Sequence, residues 1–127
     1  MSVVAGANTL KDKTAVVGVG STPYYKRGES MPQTAMQLAG KAVIAALDDA
    51  GLTVDDLDGF ALYSMGFDTS LFAQWLGVPD VKFTAMLTGG GGGAAGSVGL
   101  ASAAIVSGMA ECVVSVMTLQ QAACRVS

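Results

Sequence analysis

The stretch that decides the fold is Val81-Lys82-Phe83-Thr84-Ala85-Met86, then Gly89-Gly90-Gly91-Gly92-Gly93, then Ala94 through Ser107. The first piece is a short apolar run closed by glycines, the signature of a strand. Between Phe83 and Ala110 no side chain carries a charge. Ala94–Ser107 is small or apolar on every face, so as a helix it has no side to offer water and is expected to be enclosed all round. Gly108 is its stop. A membrane span needs about 20 strongly apolar residues, and this segment, weighted to Gly, Ala and Ser, is too short and too weakly apolar for one.

Outward from this unit, the same punctuation repeats. Thr14-Ala15-Val16-Val17-Gly18-Val19-Gly20 is rich in β-branched residues and runs into Ser21-Thr22-Pro23, which predicts a fully buried strand ending in a loop. Ser30, with Gln33 three residues on and Pro32 between, predicts a capped helix start. The stripe Ala35, Met36, Leu38, Ala39, Ala42, Val43, Ala46, Leu47, Ala50 continues that helix to a stop at Gly51. An acidic turn, Asp55-Asp56-Leu57-Asp58-Gly59, precedes a second strand over Phe60–Ser64. Asp68-Thr69-Ser70 caps a helix holding Leu71, Phe72, Trp75 and Leu76, stopped by Gly77 and Pro79. The last strand is Cys112–Met117. Strands alternating with helices imply an α/β fold with a mostly parallel sheet and crossover helices.

With 51% hydrophobic and only 13% charged residues, the chain falls well below the roughly 25% charge of soluble domains. Much of it is therefore expected to be buried, some of it against other polypeptide. At 127 residues it is one domain or part of a larger one. The net charge of −3 argues against a nucleic-acid partner, which needs a basic face. There is no histidine, which removes the usual imidazole base and the commonest zinc ligand. Cys112 and Cys124 follow no metal or disulfide spacing, and Met1–Leu10 lacks a secretory pattern, so free thiols in a reducing cytoplasm are expected.

The glycine turn at the carboxyl end of a strand places bare amides at a helix N-terminus, where a carbonyl oxygen or an anion is held. A phosphate loop needs Lys and Ser or Thr after the glycines, where Ala94-Ala95 stand. Gly18-Val19-Gly20-Ser21-Thr22-Pro23 lacks the third glycine of a dinucleotide fingerprint, and Pro23 blocks the helix. Gly89–Gly93 reads either as a turn that lets the helix pack closely or as a substrate-facing loop. Cys112 reads as core, and Cys124, beside Arg125, as part of a tail without a preorganised site. Tyr24, Tyr25 and Tyr63 are proton donors in principle and packing residues by preference. Phe72 and Trp75 read as core or dimer contact, and Met65 as a pocket-lining or gap-filling residue.

The glycine turn, the small-residue helix and Ser107-Gly108-Met109-Ala110-Glu111-Cys112-Val113-Val114 together resemble the nucleophile region of thiolases. Ala15–Pro23, Asp49-Ala50-Gly51-Leu52 and Asp56–Gly59 are similar to the sterol-carrier-type thiolase-like proteins, which include the aldolases of bacterial steroid side-chain degradation. The resemblance, to the N-terminal half of such a protein, runs from Thr14 to Gln120, with residues 1–13 as a loose lead-in and 121–127 as a tail. It implies that the nucleophilic cysteine of the active thiolases falls near Gly91, where a glycine excludes acyl transfer through a covalent intermediate. It further implies a substrate-binding set of Gly89, Gly90, Gly91, Gly92, Gly93 and Met65, with no catalytic residue and no metal ligand in this chain. Coenzyme A enters as part of the substrate, with no covalently bound cofactor. The partners implied are a second thiolase-like half, a second copy in a homodimer and a small OB-fold protein. Three functions follow: a retro-aldol carbon–carbon lyase, a thiolase-type acyltransferase, or a non-catalytic scaffold subunit.

Overall fold

The computed structural model describes residues 10–63, 66–88 and 90–119. In chain order these form α1 (Ala35–Ala50), a short 3-10 turn (Val54–Asp56), β1 (Gly59–Tyr63), α2 (Thr69–Leu76), β2 (Phe83–Leu87), α3 (Gly93–Val106) and β3 (Val113–Met117). The sheet order is β2-β1-β3, all parallel, with Gly59 facing both Phe83 and Val113. The α/β class and parallel pairing expected from the sequence are therefore present.

Strand alternation sorts the side chains between two layers. Phe60 and Leu62 of β1, with Val114 and Val116 of β3, join Val43 and Leu47 of α1 and Phe72 of α2 in the core. Phe60 and Phe72 meet edge to face, their centroids 5.8 Å apart. The other face of the sheet receives α3, whose Ser97 hydroxyl lies 2.5 Å from that of Ser115 on β3. The two helices on the first face end in left-handed glycines, Gly51 at φ 71° and Gly77 at φ 81°, as their sequence stops predict.

One residue ties the three strands together at their amino ends. The buried Asp58 carboxylate accepts from the backbone N–H of Glu111 (2.9 Å) and of Cys112 (2.9 Å), fixing the entry to β3. Its own amide donates to the Cys112 carbonyl (3.1 Å), and its carbonyl accepts from Lys82 (2.7 Å) and Phe83 (3.2 Å), fixing the entry to β2. In the sequence this residue reads only as part of an acidic turn.

Three expectations are corrected. The helix expected from Ser30 begins at Ala35, capped by Thr34, whose hydroxyl accepts from Gln37 while the Gln37 side chain accepts from Thr34 N–H. Pro32 disfavours helical geometry at Met31, and Thr34 with Gln37 supplies the same reciprocal cap one turn later. Thr14–Gly20, expected as a fully buried strand, forms no ladder with the described strands, and Val16, Val17 and Val19 stay 73%, 66% and 70% exposed. Its composition favours a strand, but a strand forms only beside a neighbour, and β3 does not reach it. Finally, α3 is not enclosed all round: Ser97, Ala101 and Ala104 are buried, while Val98, Leu100 and Val106 are 48%, 39% and 38% exposed. The sheet covers one side, and no described residue forms a layer on the other. Ser64, the last residue of the expected second strand, lies outside the described residues, as does the tail at 121–127.

Replacing Asp58 by alanine leaves two part-buried N–H groups, those of Glu111 and Cys112, without their acceptor. The expected loss is about 2–4 kcal/mol of unfolding free energy, at roughly 1–3 kcal/mol per orphaned group. Urea unfolding of Asp58→Ala measures it, and a midpoint unchanged from the parent would remove Asp58 from its role.

Candidate functional site

Because the strands are parallel, their carboxyl ends open onto one rim, where ligands of α/β sheets bind. Tyr63 closes β1 there, Leu87 closes β2, and the chain passes from Leu87 through the glycine loop into α3. Gly90, Gly91 and Gly92 are exposed, and a Cβ built on any of them meets nothing within 4 Å. The Gly90 carbonyl accepts from the Gly93 amide (3.1 Å) and from the Tyr63 hydroxyl (3.1 Å). The Tyr63 ring lies against the loop so closely that a Cβ at Gly93 would sit 2.4 Å from Cε2. Tyr63 is thus the side chain that shapes the loop, holding its first carbonyl and packing on its last glycine. Sequence reasoning favoured packing for this residue; the available signal for more was a phenol at the last position of a strand leading to the glycine rim.

Gly92 occupies the N-cap of α3 and brings no side-chain cap. The Gly96 amide returns to the Gly92 carbonyl (2.8 Å), so helix geometry leaves the amides of Ala94 and Ala95 without an intrahelical acceptor. No side chain between Phe83 and Ala110 carries a charge, and the positive end of the α3 dipole faces this rim. What the rim can do is hold an oxygen that is, or becomes, negatively charged. It offers no nucleophile at the described glycines.

Of the site residues expected from the sequence, Gly90, Gly91, Gly92 and Gly93 are brought together here, while Gly89 and Met65 lie outside the described residues. Cys112 is at the other end of the sheet, immediately before β3. Five strand residues at about 3.3 Å each separate that end from the glycine rim. Burial, and then the charges of Asp58 and Asp56, push its thiol pKa up, the opposite of what a nucleophile needs. Cys124 lies outside the described residues. Tyr24 is fully exposed, and Trp75 stands half out of the surface beside the buried Phe72. Among the described residues no cluster of metal-ligating side chains occurs, and no helix is long and apolar enough to cross a membrane.

No family model matches the chain. A steroid side-chain-cleaving aldolase of Thermomonospora curvata is 36% identical over 115 residues, covering 90% of this chain and 27% of the aldolase. A 17-hydroxy-3-oxo-4-pregnene-20-carboxyl-CoA lyase of Mycobacterium tuberculosis is 34% identical over 107 residues, covering 84% of this chain and 27% of the lyase. Among solved structures, an Ltp2-ChsH2(DUF35) aldolase superposes with a TM-score of 0.63 at 37% identity, over 78% of this chain and 25% of that one. The chain is a thiolase-like half related to the steroid side-chain aldolases. A priming β-ketosynthase of the R1128 polyketide pathway, at 19% identity and a TM-score of 0.62, shares the fold of this thiolase-like half. The thiolase-like half spans about a quarter of the length of its curated relatives.

Two outcomes follow for the thiolase-like half. Gly91→Ala and Gly92→Ala enter open space, and Gly92 has an ordinary negative φ of −85°, so both variants should keep or slightly exceed parental stability, by up to about 1 kcal/mol. Gly93→Ala must displace the Tyr63 ring and should cost about 1–3 kcal/mol. Urea midpoints compare the three, and equal costs at positions 91 and 93 would contradict the geometry. In a Cys124→Ser background, Cys112 should alkylate with iodoacetamide more slowly at pH 8 in the folded chain than in urea, because a raised pKa lowers the thiolate fraction. Faster reaction in the folded state would overturn that assignment.

Proposed function

We propose that this chain supplies the glycine-loop half of a carbon–carbon lyase that cleaves a β-hydroxyacyl-CoA thioester by a retro-aldol reaction. Its substrate class is a CoA thioester such as that of a steroid side chain, and coenzyme A enters only as part of that substrate. The observation that supports this reading is an exposed glycine loop at an uncapped helix start, with glycine at every position from 89 to 93, in a chain related to two proteins named for side-chain aldolase and acyl-CoA lyase activity.

A base removes the proton from the β-hydroxyl oxygen. The oxygen lone pair forms a carbonyl as the bond between the α and β carbons breaks, and the released pair passes to the thioester as an enolate. Protonation at the α carbon then yields a shortened acyl-CoA and a free ketone or aldehyde. The role assigned to this chain is the enolate oxygen, held by amides of the Gly90–Gly93 loop other than that of Gly93, which already donates to the Gly90 carbonyl, and by those of Ala94 and Ala95 in α3, where donors aimed at developing charge lower the barrier. Gly89 and Met65 complete the proposed substrate-binding set. The base is assigned to the polypeptide that completes the site; this chain supplies no histidine for that role. The partners assigned are a second thiolase-like half, a homodimer mate and a small OB-fold protein, in the cytoplasm.

An acyltransferase would need an acyl-carrying residue at the rim, and no observation on this chain favours one. The deciding assay supplies the protein, with and without an OB-fold partner, with a β-hydroxyacyl-CoA and separately with acetoacetyl-CoA plus free CoA. Release of ketone or aldehyde from the first is the expected result. Thiolysis of the second substrate would favour the acyltransferase reading, and turnover of neither would favour a scaffold subunit.

A further inference from the structure

Among the described residues the Gly91 amide has no acceptor, and a Cβ built on Gly91 meets nothing within 4 Å, so the space around this residue is open. What sets the direction of its N–H lies one residue back. The peptide between Gly90 and Gly91 is trans and planar, so its carbonyl and its N–H point to opposite sides. The Gly90 carbonyl accepts from two donors, the Tyr63 hydroxyl (3.1 Å) and the Gly93 amide (3.1 Å). Held toward β1 and the start of α3 in this way, the carbonyl turns the Gly91 N–H away from both.

Tyr63 is built to hold that peptide plane. It ends the central strand of the sheet, paired with Leu87 of β2 on one side and Met117 of β3 on the other. Its ring also lies where a side chain at Gly93 would stand, 2.4 Å from a Cβ built there, so the same residue bounds the far end of the loop. Consecutive glycines have no side chains to restrict their backbone, and alone they sample many conformations. Here the restriction comes from outside, through one phenol whose two parts act separately. The ring keeps position 93 a glycine. The hydroxyl orients the Gly90–Gly91 peptide.

We propose that Tyr63 is the positioning residue of the glycine rim: its hydroxyl, through the Gly90 carbonyl, aims the Gly91 amide, which donates to the thioester oxygen as that oxygen becomes an enolate. This assignment rests on reading the rim as the oxygen-holding part of a lyase, and it singles out one donor and one side chain within it. Tyr63 itself touches no reacting atom. A donor aimed before charge develops needs no reorganisation when the charge appears. An unbraced glycine loop would have to be ordered in every turnover, at the cost of its backbone entropy.

Two CoA thioethers of equal chain length isolate the oxygen contact: one carries a ketone whose oxygen stands for the thioester oxygen, and the other is a plain alkyl chain. Their dissociation constants are measured with the parent chain and with Tyr63→Phe, which keeps the ring and loses the hydroxyl. Tyr24→Phe, which alters a fully exposed phenol, serves as the control. The parent should prefer the ketone by about 10-fold, the equivalent of one hydrogen bond. Tyr63→Phe should lose most of that preference while binding the alkyl analogue as the parent does, and Tyr24→Phe should keep it. A preference retained by folded Tyr63→Phe, or lost equally in Tyr24→Phe, would overturn the proposal and leave the oxygen-holding rim standing. A parent that binds neither analogue, or both alike, would remove the rim reading itself and the proposal with it. Amide-resolved NMR of the parent keeps the test decisive if Tyr63→Phe does not fold. The Gly91 amide proton should move downfield with the ketone and stay in place with the alkyl analogue; a ketone-specific shift confined to other amides would overturn the choice of Gly91.

Discussion

A single carboxylate sets the geometry on which everything else rests. Asp58 stands one residue before β1, and through its side chain and both backbone groups it bonds to Lys82 and Phe83 at the entry to β2 and to Glu111 and Cys112 just before β3. A parallel sheet gains no register from tight hairpins, because its strands are joined by long crossovers. Here the register is pinned at the amino end by five hydrogen bonds converging on one residue, with Gly59 left facing both Phe83 and Val113. Breaking that knot would let each strand slide against its neighbour.

Fixing the amino ends also fixes what happens at the carboxyl ends. With all three strands in register, Tyr63 ends β1 at the level where the chain leaves Leu87 for the glycines, so its hydroxyl reaches the Gly90 carbonyl and its ring covers Gly93. The loop is thereby held in shape by a side chain from the central strand, while its own residues contribute only backbone. Preorganised amides of this kind act on developing negative charge without reorganising during the reaction. The chain thus separates its duties along the strands: structural charge at one end, uncharged donors at the other.

The sequence was most legible where the signals are local. Asp68 and Gly77 bracket α2 as their residue types dictate, and the uncharged segment after the glycines became α3 within a residue of its expected limits. Legibility failed where a partner lies far along the chain or off it. Asp58 reads only as part of an acidic turn because its acceptor role is defined by Glu111 and Cys112, more than fifty residues away. Ser30 and Thr34 presented equivalent capping patterns, and only the restriction imposed by Pro32 separates them. Thr14–Gly20 and α3 carry the composition of buried elements but stay partly bare, because pattern reports what a segment is suited to and not whether its neighbour is present. Of the site, the glycine rim was readable and the grip of Tyr63 on it was not, since a contact between residues 63 and 90 leaves no periodic trace.

The central claim is that the glycine rim holds the oxygen of a CoA thioester through backbone amides and forms no bond to it. The most direct measurement is an amide-resolved NMR titration of the chain with a non-cleavable thioether analogue of an acyl-CoA, paired with intact-mass analysis after exposure to the acyl-CoA itself. The account predicts shifts centred on Gly90–Gly93, Ala94 and Ala95, with no gain in mass. Shifts that bypass those amides, or an acyl adduct on Cys112, would contradict it.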